Sequence, residues 1–99
     1  MSLLDTHEVA HQLATLSGWT LAGNAIRKTF TFAGFPEAIA FLGRLVPDCE
    51  AADHHPDITI NYRRVTLSFS THSEGGLTLK DFDGARMADR KCQLGNAKC

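Results

Sequence analysis

The stretch DITINYRRVTLSFSTH, residues 57–72, decides the fold. Ile58, Ile60 and Tyr62 alternate with Thr59, Asn61 and Arg63, and beyond them Val65, Leu67 and Phe69 alternate with Thr66, Ser68, Ser70 and His72. Successive side chains of a strand point to opposite faces, so each half predicts a strand with one apolar and one polar face. A two-residue turn at Arg63-Arg64 opposes Tyr62 to Val65, Ile60 to Leu67 and Ile58 to Phe69, which gathers the apolar side chains on one face. Arg-Arg is a poor type I′ turn, for which Asn-Gly is preferred, but the agreement of the faces outweighs it. The polar face of the second strand, with Ser68, Ser70 and His72, then points away from the core and is free to line a site.

Outward from this hairpin the pattern changes period. Upstream, Ala38, Ile39, Phe41, Leu42, Leu45, Val46, Cys49 and Ala52 share one face at helical spacing behind Pro36, a favourable first helical residue. Pro47 lies inside this helix, and because the apolar face keeps its phase beyond it, a kink rather than a break is expected. Trp19–Leu21 and Ile26–Phe32 flank Gly23-Asn24 and predict a first hairpin. Asp5 and Glu8 resemble a capping box opening a helix over residues 6–17, with Val9, Leu13 and Leu16 inward. Downstream, Gly75-Gly76 ends the last strand, and Thr78 and Asp81 open a third helix carrying Phe82, Ala85 and Cys92. The order α-β-β-α-β-β-α predicts an α+β two-layer sandwich, a four-stranded antiparallel sheet with helices on one face, over a single domain spanning residues 1–99.

Composition narrows the function classes. Ten Lys and Arg against 11 Asp and Glu give a net charge of −1. No basic patch for phosphate binding is therefore expected, which disfavours a direct nucleic-acid partner. No apolar run is long enough to span a membrane and the N-terminal residues lack signal-peptide character, so a cytosolic protein is expected. Cys49, Cys92 and Cys99 form an odd, widely spaced set that suggests neither a disulfide framework nor a zinc knuckle. Cys49 reads as a buried thiol, and residues 93–99 read as a disordered tail.

His7-Glu8-Val9-Ala10-His11 spells HExxH, the helical zinc motif of metallopeptidases. Its histidines fall opposite Val9, Leu13 and Leu16 and therefore point at solvent, and so short a chain has little material for a third ligand and a dry cleft. The motif reads as a solvated helix face. More informative are Glu50, Asp53, His54, His55, Pro56, His72 and Asp81, all at the ends of segments. Imidazole suits proton traffic near neutral pH, and a corner set by Pro56 lets two adjacent histidines flank one ligand. From spacing alone, the alternative is equally open that His54 and His55 cap the second helix and His72 is a surface residue. A metal site at the three histidines is disfavoured, because only Asp53 stands near to complete a ligand set.

Glu50-x-x-x-His54-His55-Pro56, Tyr62, Thr71-His72, Gly76-Leu77-Thr78 and Asp81 together resemble the signature of the pterin-4a-carbinolamine dehydratases. The resemblance extends to Gly18-Trp19, Phe30-x-Phe32 and Phe35-Pro36-Glu37-Ala38, covering about residues 6–90. It implies a hydro-lyase that dehydrates 4a-hydroxytetrahydropterin to a quinonoid dihydropterin during tetrahydropterin recycling, without metal or cofactor. By the same resemblance His54, His55 and His72 are catalytic, with His55 chiefly orienting the pterin. Asp53 and the Ser70-Thr71-His72-Ser73 backbone contact the ligand, and Glu50, Pro56 and Asp81 support the site. A homodimer or homotetramer is implied. The alternative function is a binding module, a pterin-binding protein or a dimerisation cofactor of a transcription factor.

Overall fold

The computed structural model describes residues 3–95 and Cys99. Helix α1 (Thr6–Ala14) starts at Asp5, whose Oδ1 accepts from the Glu8 N–H at 2.8 Å. It stops short of the expected residue 17 because Thr15 and Leu16 bond three residues back, to Gln12 and Leu13, and the Thr15 hydroxyl also donates to the Gln12 carbonyl at 2.7 Å. Gly18, at φ +83°, then turns the chain into the sheet.

Strands β1 (Thr20–Ala22) and β2 (Ala25–Thr31) form the first hairpin, with Ala22 opposite Ala25 across Gly23-Asn24. Helix α2 (Phe35–Ala52) runs unbroken through Pro47. Pro47 and Gly43 are both exposed, so water can serve the carbonyl that the proline leaves without a donor. Strands β3 (Asp57–Asn61) and β4 (Arg64–Phe69) form the second hairpin, and α3 (Leu79–Leu94) closes the domain. The sheet is antiparallel throughout, in the order β1-β2-β4-β3, and the helices pack on one face as expected.

The second hairpin differs from expectation by a two-residue slip. Ile58 faces Leu67 and Ile60 faces Val65, and the turn is Tyr62-Arg63 with Tyr62 at φ 56°. The cause lies in the neighbouring strand. Arg64 is drawn into the ladder opposite Thr31, and the Arg63 carbonyl accepts from the Phe32 N–H at 2.9 Å, which moves the turn back by one residue. A slip of two keeps every side chain on its face, so the apolar clustering survives.

The core lies between the sheet and the helices. Ile26, Phe30, Val65, Leu67 and Phe69 meet Phe41, Leu45, Phe82 and Ala85, all essentially without solvent contact. The α2 stripe is wider than the core it covers. Ala38, Phe41, Leu45 and Cys49 are buried, whereas Ile39, Val46 and Ala52 are exposed. Burial and the flanking carboxylates of Asp48 and Glu50 push the Cys49 thiol above its ordinary range.

Two features of the core depart from the reading of the sequence, one unforeseen and one contrary to it. Lys28 takes an inward position between Ile26 and Phe30, and its Nζ donates to Asp89 Oδ1 (2.8 Å), the Ser17 carbonyl (2.9 Å) and the Cys99 main-chain oxygen (2.9 Å). Its three protons are thereby matched, which is the condition for tolerating a buried ammonium. Cys92 and Cys99 form a disulfide, with Cα atoms 6.2 Å apart, contrary to the reading that no disulfide was suggested. Spacing is uninformative for a single short loop, whereas α3 carries Cys92 into the core at 0% exposure and the exposed Cys99 bonds to it there. Of the expected tail, residues 93 and 94 belong to α3, and residues 96–98 lie outside the described residues. Among the described residues no helix is long and apolar enough to cross a membrane.

Candidate active site

The site begins at the end of α2. Asp53 caps the helix in the left-handed region (φ 51°), a conformation that Asp tolerates better than most residues, and the His54 N–H reaches back to the Cys49 carbonyl at 3.1 Å. This reversal directs His54 inward while Asp53 stays exposed. The Asp53 side chain, although adjacent in sequence, is not the carboxylate partner of His54. That role falls to Asp81, whose Oδ1 lies 2.6 Å from His54 Nε2. Pro56, buried, holds the corner before β3 starts.

His54 is constrained on two sides. Its ring stacks on Phe69 at 5.9 Å between centroids and 23° between planes, and its side chain is only 11% exposed. It also forms part of the wall of a cavity of about 250 Å³ between α2 and α3, with Ala52, Lys80, Asp83 and Met87 around it. His55 takes a different environment. It is exposed, with Nε2 2.5 Å from Glu50 Oε2 one turn back on α2, so Glu50 supports His55 rather than His54.

His72 does not continue β4, as the alternation suggested. The strand ends at Phe69, and His72 opens a short 3₁₀ turn, His72–Glu74, closed by Gly75 at φ +74°. The Thr71 N–H donates to the Gly76 carbonyl at 2.9 Å, and the Thr71 carbonyl accepts from Glu74 at 3.0 Å, so its main chain is occupied by the turn. His72 and Ser73 are exposed, Ser70 is partly buried and Thr71 is buried. Neither His55 nor His72 lines the cavity at His54. The two stretches of chain nonetheless meet at one residue: Asp81 accepts from Thr71 Oγ1 at 2.9 Å through Oδ2 while its Oδ1 faces His54.

Asp81 is fully buried and belongs to the capping box of α3, its Oδ2 accepting from the Thr78 N–H at 3.0 Å. The sequence marks this box, but nothing in it marks Thr71 as a third contributor or Phe69 as the surface beneath the imidazole. The HExxH residues lie elsewhere. His7 and His11 are exposed on α1, and the Glu8 carboxylate accepts from Gln12 Nε2 at 3.1 Å. Among the described residues no group of three or more His, Cys, Asp or Glu side chains is placed to hold a metal ion.

Chemically, the arrangement offers one imidazole fixed in orientation beside a cavity, a second exposed next to a carboxylate, and a third at the rim of an adjoining turn. Comparison with known proteins points the same way. The sequence profile of the family described as Pterin 4 alpha carbinolamine dehydratase matches residues 2–91. A protein of Roseiflexus castenholzii named "Putative pterin-4-alpha-carbinolamine dehydratase" is 54% identical over 88 residues, 89% of this chain and 95% of that one. A relative of the same name from Sulfolobus acidocaldarius is 41% identical over 87 residues, 88% and 96% of the two chains. The crystal structure of a transcriptional coactivator/pterin dehydratase from Brucella melitensis superposes with a TM-score of 0.86 at 33% identity, covering 89% of this chain and 96% of that one.

Proposed function

This chain belongs to the pterin 4 alpha carbinolamine dehydratase family, and from that premise we propose that it dehydrates 4a-hydroxytetrahydropterin in the cytoplasm, as a step of tetrahydropterin recycling, by histidine acid/base catalysis. In this reaction the C4a–O bond breaks, the N5 proton leaves and the C4a=N5 bond forms, releasing water and a quinonoid dihydropterin. Hydroxide is a poor leaving group, so an acid protonates the 4a-oxygen while a base takes the N5 proton, each assistance contributing roughly 10²–10⁴-fold. His54 and His72 exchange these protons, serving opposite stereoisomers of the substrate. His55 binds and orients the pterin with Asp53, Ser70 and Ser73.

The observation that supports this best is the fixed imidazole of His54, hydrogen-bonded to Asp81 at 2.6 Å and exposed at one edge to a cavity. A preoriented ring saves the reaction the cost of ordering its proton carrier. A stopped assay of 4a-hydroxytetrahydropterin breakdown tests the reading. The wild type is expected to accelerate it, His72→Ala to lose roughly 10²-fold in kcat, and His7→Ala or treatment with a chelator to change nothing. A wild type no faster than buffer leaves the binding-module reading ahead. That second reading rests on the coactivator name of the Brucella relative.

A homo-oligomer is part of the proposal. Ile58 and Ile60 lie on the helical face of the sheet but at its edge strand, beyond the cover of the helices, and are 42% and 40% exposed. Phe35, Ile39 and Val46 add exposed apolar surface on α2. A thin 99-residue core gains most from covering such surface with a second copy. Sedimentation at micromolar concentration is expected to return a dimer or tetramer, and a monomer there overturns this part.

A further inference from the structure

Asp81 is surrounded by donors whose directions can be assigned one after another. A carboxylate only accepts, so the Thr71 hydroxyl must donate to Oδ2 across 2.9 Å, and the Thr78 N–H donates to the same oxygen across 3.0 Å. Thr71 has one proton and has used it. The 2.8 Å contact between the two threonine hydroxyls therefore runs from Thr78 Oγ1 to Thr71 Oγ1, and Thr78 Oγ1 in turn accepts from the Lys80 N–H at 3.3 Å. The chain from the first turn of α3 to the carboxylate thus has a single direction, and among the described residues it leaves no buried side-chain polar atom without a partner. Oδ1 remains for His54, and what faces it at 2.6 Å must be a donor.

We infer that His54 is held as its Nε2–H tautomer, that Nδ1 is the atom through which it passes protons, and that Thr71 is a positioning residue rather than a substrate contact. The role of Nδ1 rests on the dehydratase reading; the tautomer does not. Thr71 is 7% exposed and its hydroxyl, N–H and carbonyl are all committed within the fold, which leaves it nothing to offer a ligand. What it supplies is the donor that, with the Thr78 N–H, determines which way the carboxyl group of residue 81 is populated.

The same logic predicts the consequence of an amide at this position. In Asp81→Asn the two donors at Oδ2 require the amide oxygen there, so the NH₂ group turns toward His54 and Nε2 must accept. The ring then carries its proton on Nδ1. Geometry is kept while the reactive atom is blocked, the situation in which an amide at a histidine's orienting carboxylate is known to be severely inactivating.

Two-dimensional ¹H–¹⁵N spectra of the histidine side chains in the full protein test this without any turnover. The neutral wild-type His54 ring is expected to show the Nε2–H pattern and Asp81→Asn the Nδ1–H pattern. A wild-type ring protonated on Nδ1 overturns the tautomer assignment, whether or not the protein proves to be a dehydratase. Where turnover is measurable, Thr71→Val is expected to lower kcat roughly tenfold with KM within about twofold, and Thr71→Ser to restore it, since serine keeps the donor. A Thr71→Val enzyme with raised KM and unchanged kcat overturns the positioning role in favour of a substrate contact. A folded wild type with the Nε2–H ring and no dehydration sinks the proposed function alone.

Discussion

Replacing His54 by alanine is expected to lower kcat for 4a-hydroxytetrahydropterin dehydration by about 10³-fold, the loss due to one acid/base group that acts in the transition state. The position of the ring is the reason for so large a figure. His54 is tied at Nε2 to a carboxylate that is itself held by two donors, and it lies against Phe69, so in the proposed mechanism its other ring nitrogen would meet the substrate in one orientation. Such order is worth most in the transition state, and KM should move by less than about threefold because ground-state binding is shared with the rest of the site. His55, by contrast, is exposed and can reorient about its contact with Glu50, so His55→Ala is expected to act mainly on KM. Single-turnover and steady-state rates on the two variants check the split. Near-wild-type kcat in His54→Ala would show that the reaction runs without the residue on which the mechanism is built.

The largest effect on stability is expected from Phe69→Ala, which should cost about 3–5 kcal/mol, the range for deleting a buried aromatic side chain and leaving a cavity. Phe69 is wholly buried at the end of β4 and touches three parts of the molecule at once. Its ring lies 5.9 Å from those of Trp19 and His54, and α3 crosses it at Gly84. That crossing is tight: a Cβ on Gly84 would sit 2.6 Å from Phe69 Cε1. Gly84→Ala would gain up to about 1 kcal/mol of helix propensity but must displace a ring walled in on its other sides, at about 1–3 kcal/mol, so a net loss is expected. Urea unfolding with an unchanged m value measures both. Because the ring is also the floor under His54, the two variants should lose kcat under conditions where they remain folded. A Phe69→Ala protein with wild-type midpoint and rate would detach the site from the core.

Local pattern determined a large part of this protein. The two periods, 2 in residues 57–69 and 3.6 in residues 36–52, set the elements and their inner faces, and the helix-to-strand corner at Asp53–Pro56 placed a histidine where a site could form. These properties depend on residues a few positions apart, and sequence holds that distance directly. The resemblance to a known signature added the chemistry. What only the tertiary structure decided involves partners far apart in the chain. Alternation is blind to a slip of two residues, so β2, not the hairpin itself, chose the register through Thr31 and Arg64. Asp81, 27 residues from His54, displaced the adjacent Asp53 as its carboxylate partner because the αL cap turns Asp53 outward and the α3 capping box points inward. Lys28 could be buried only because Asp89 and two main-chain oxygens converge on it, and the Cys92–Cys99 bond needed α3 to bring one sulfur into the core. In each case a polar or reactive group chose its neighbour from the whole folded surface, and no periodicity along the chain encodes that choice.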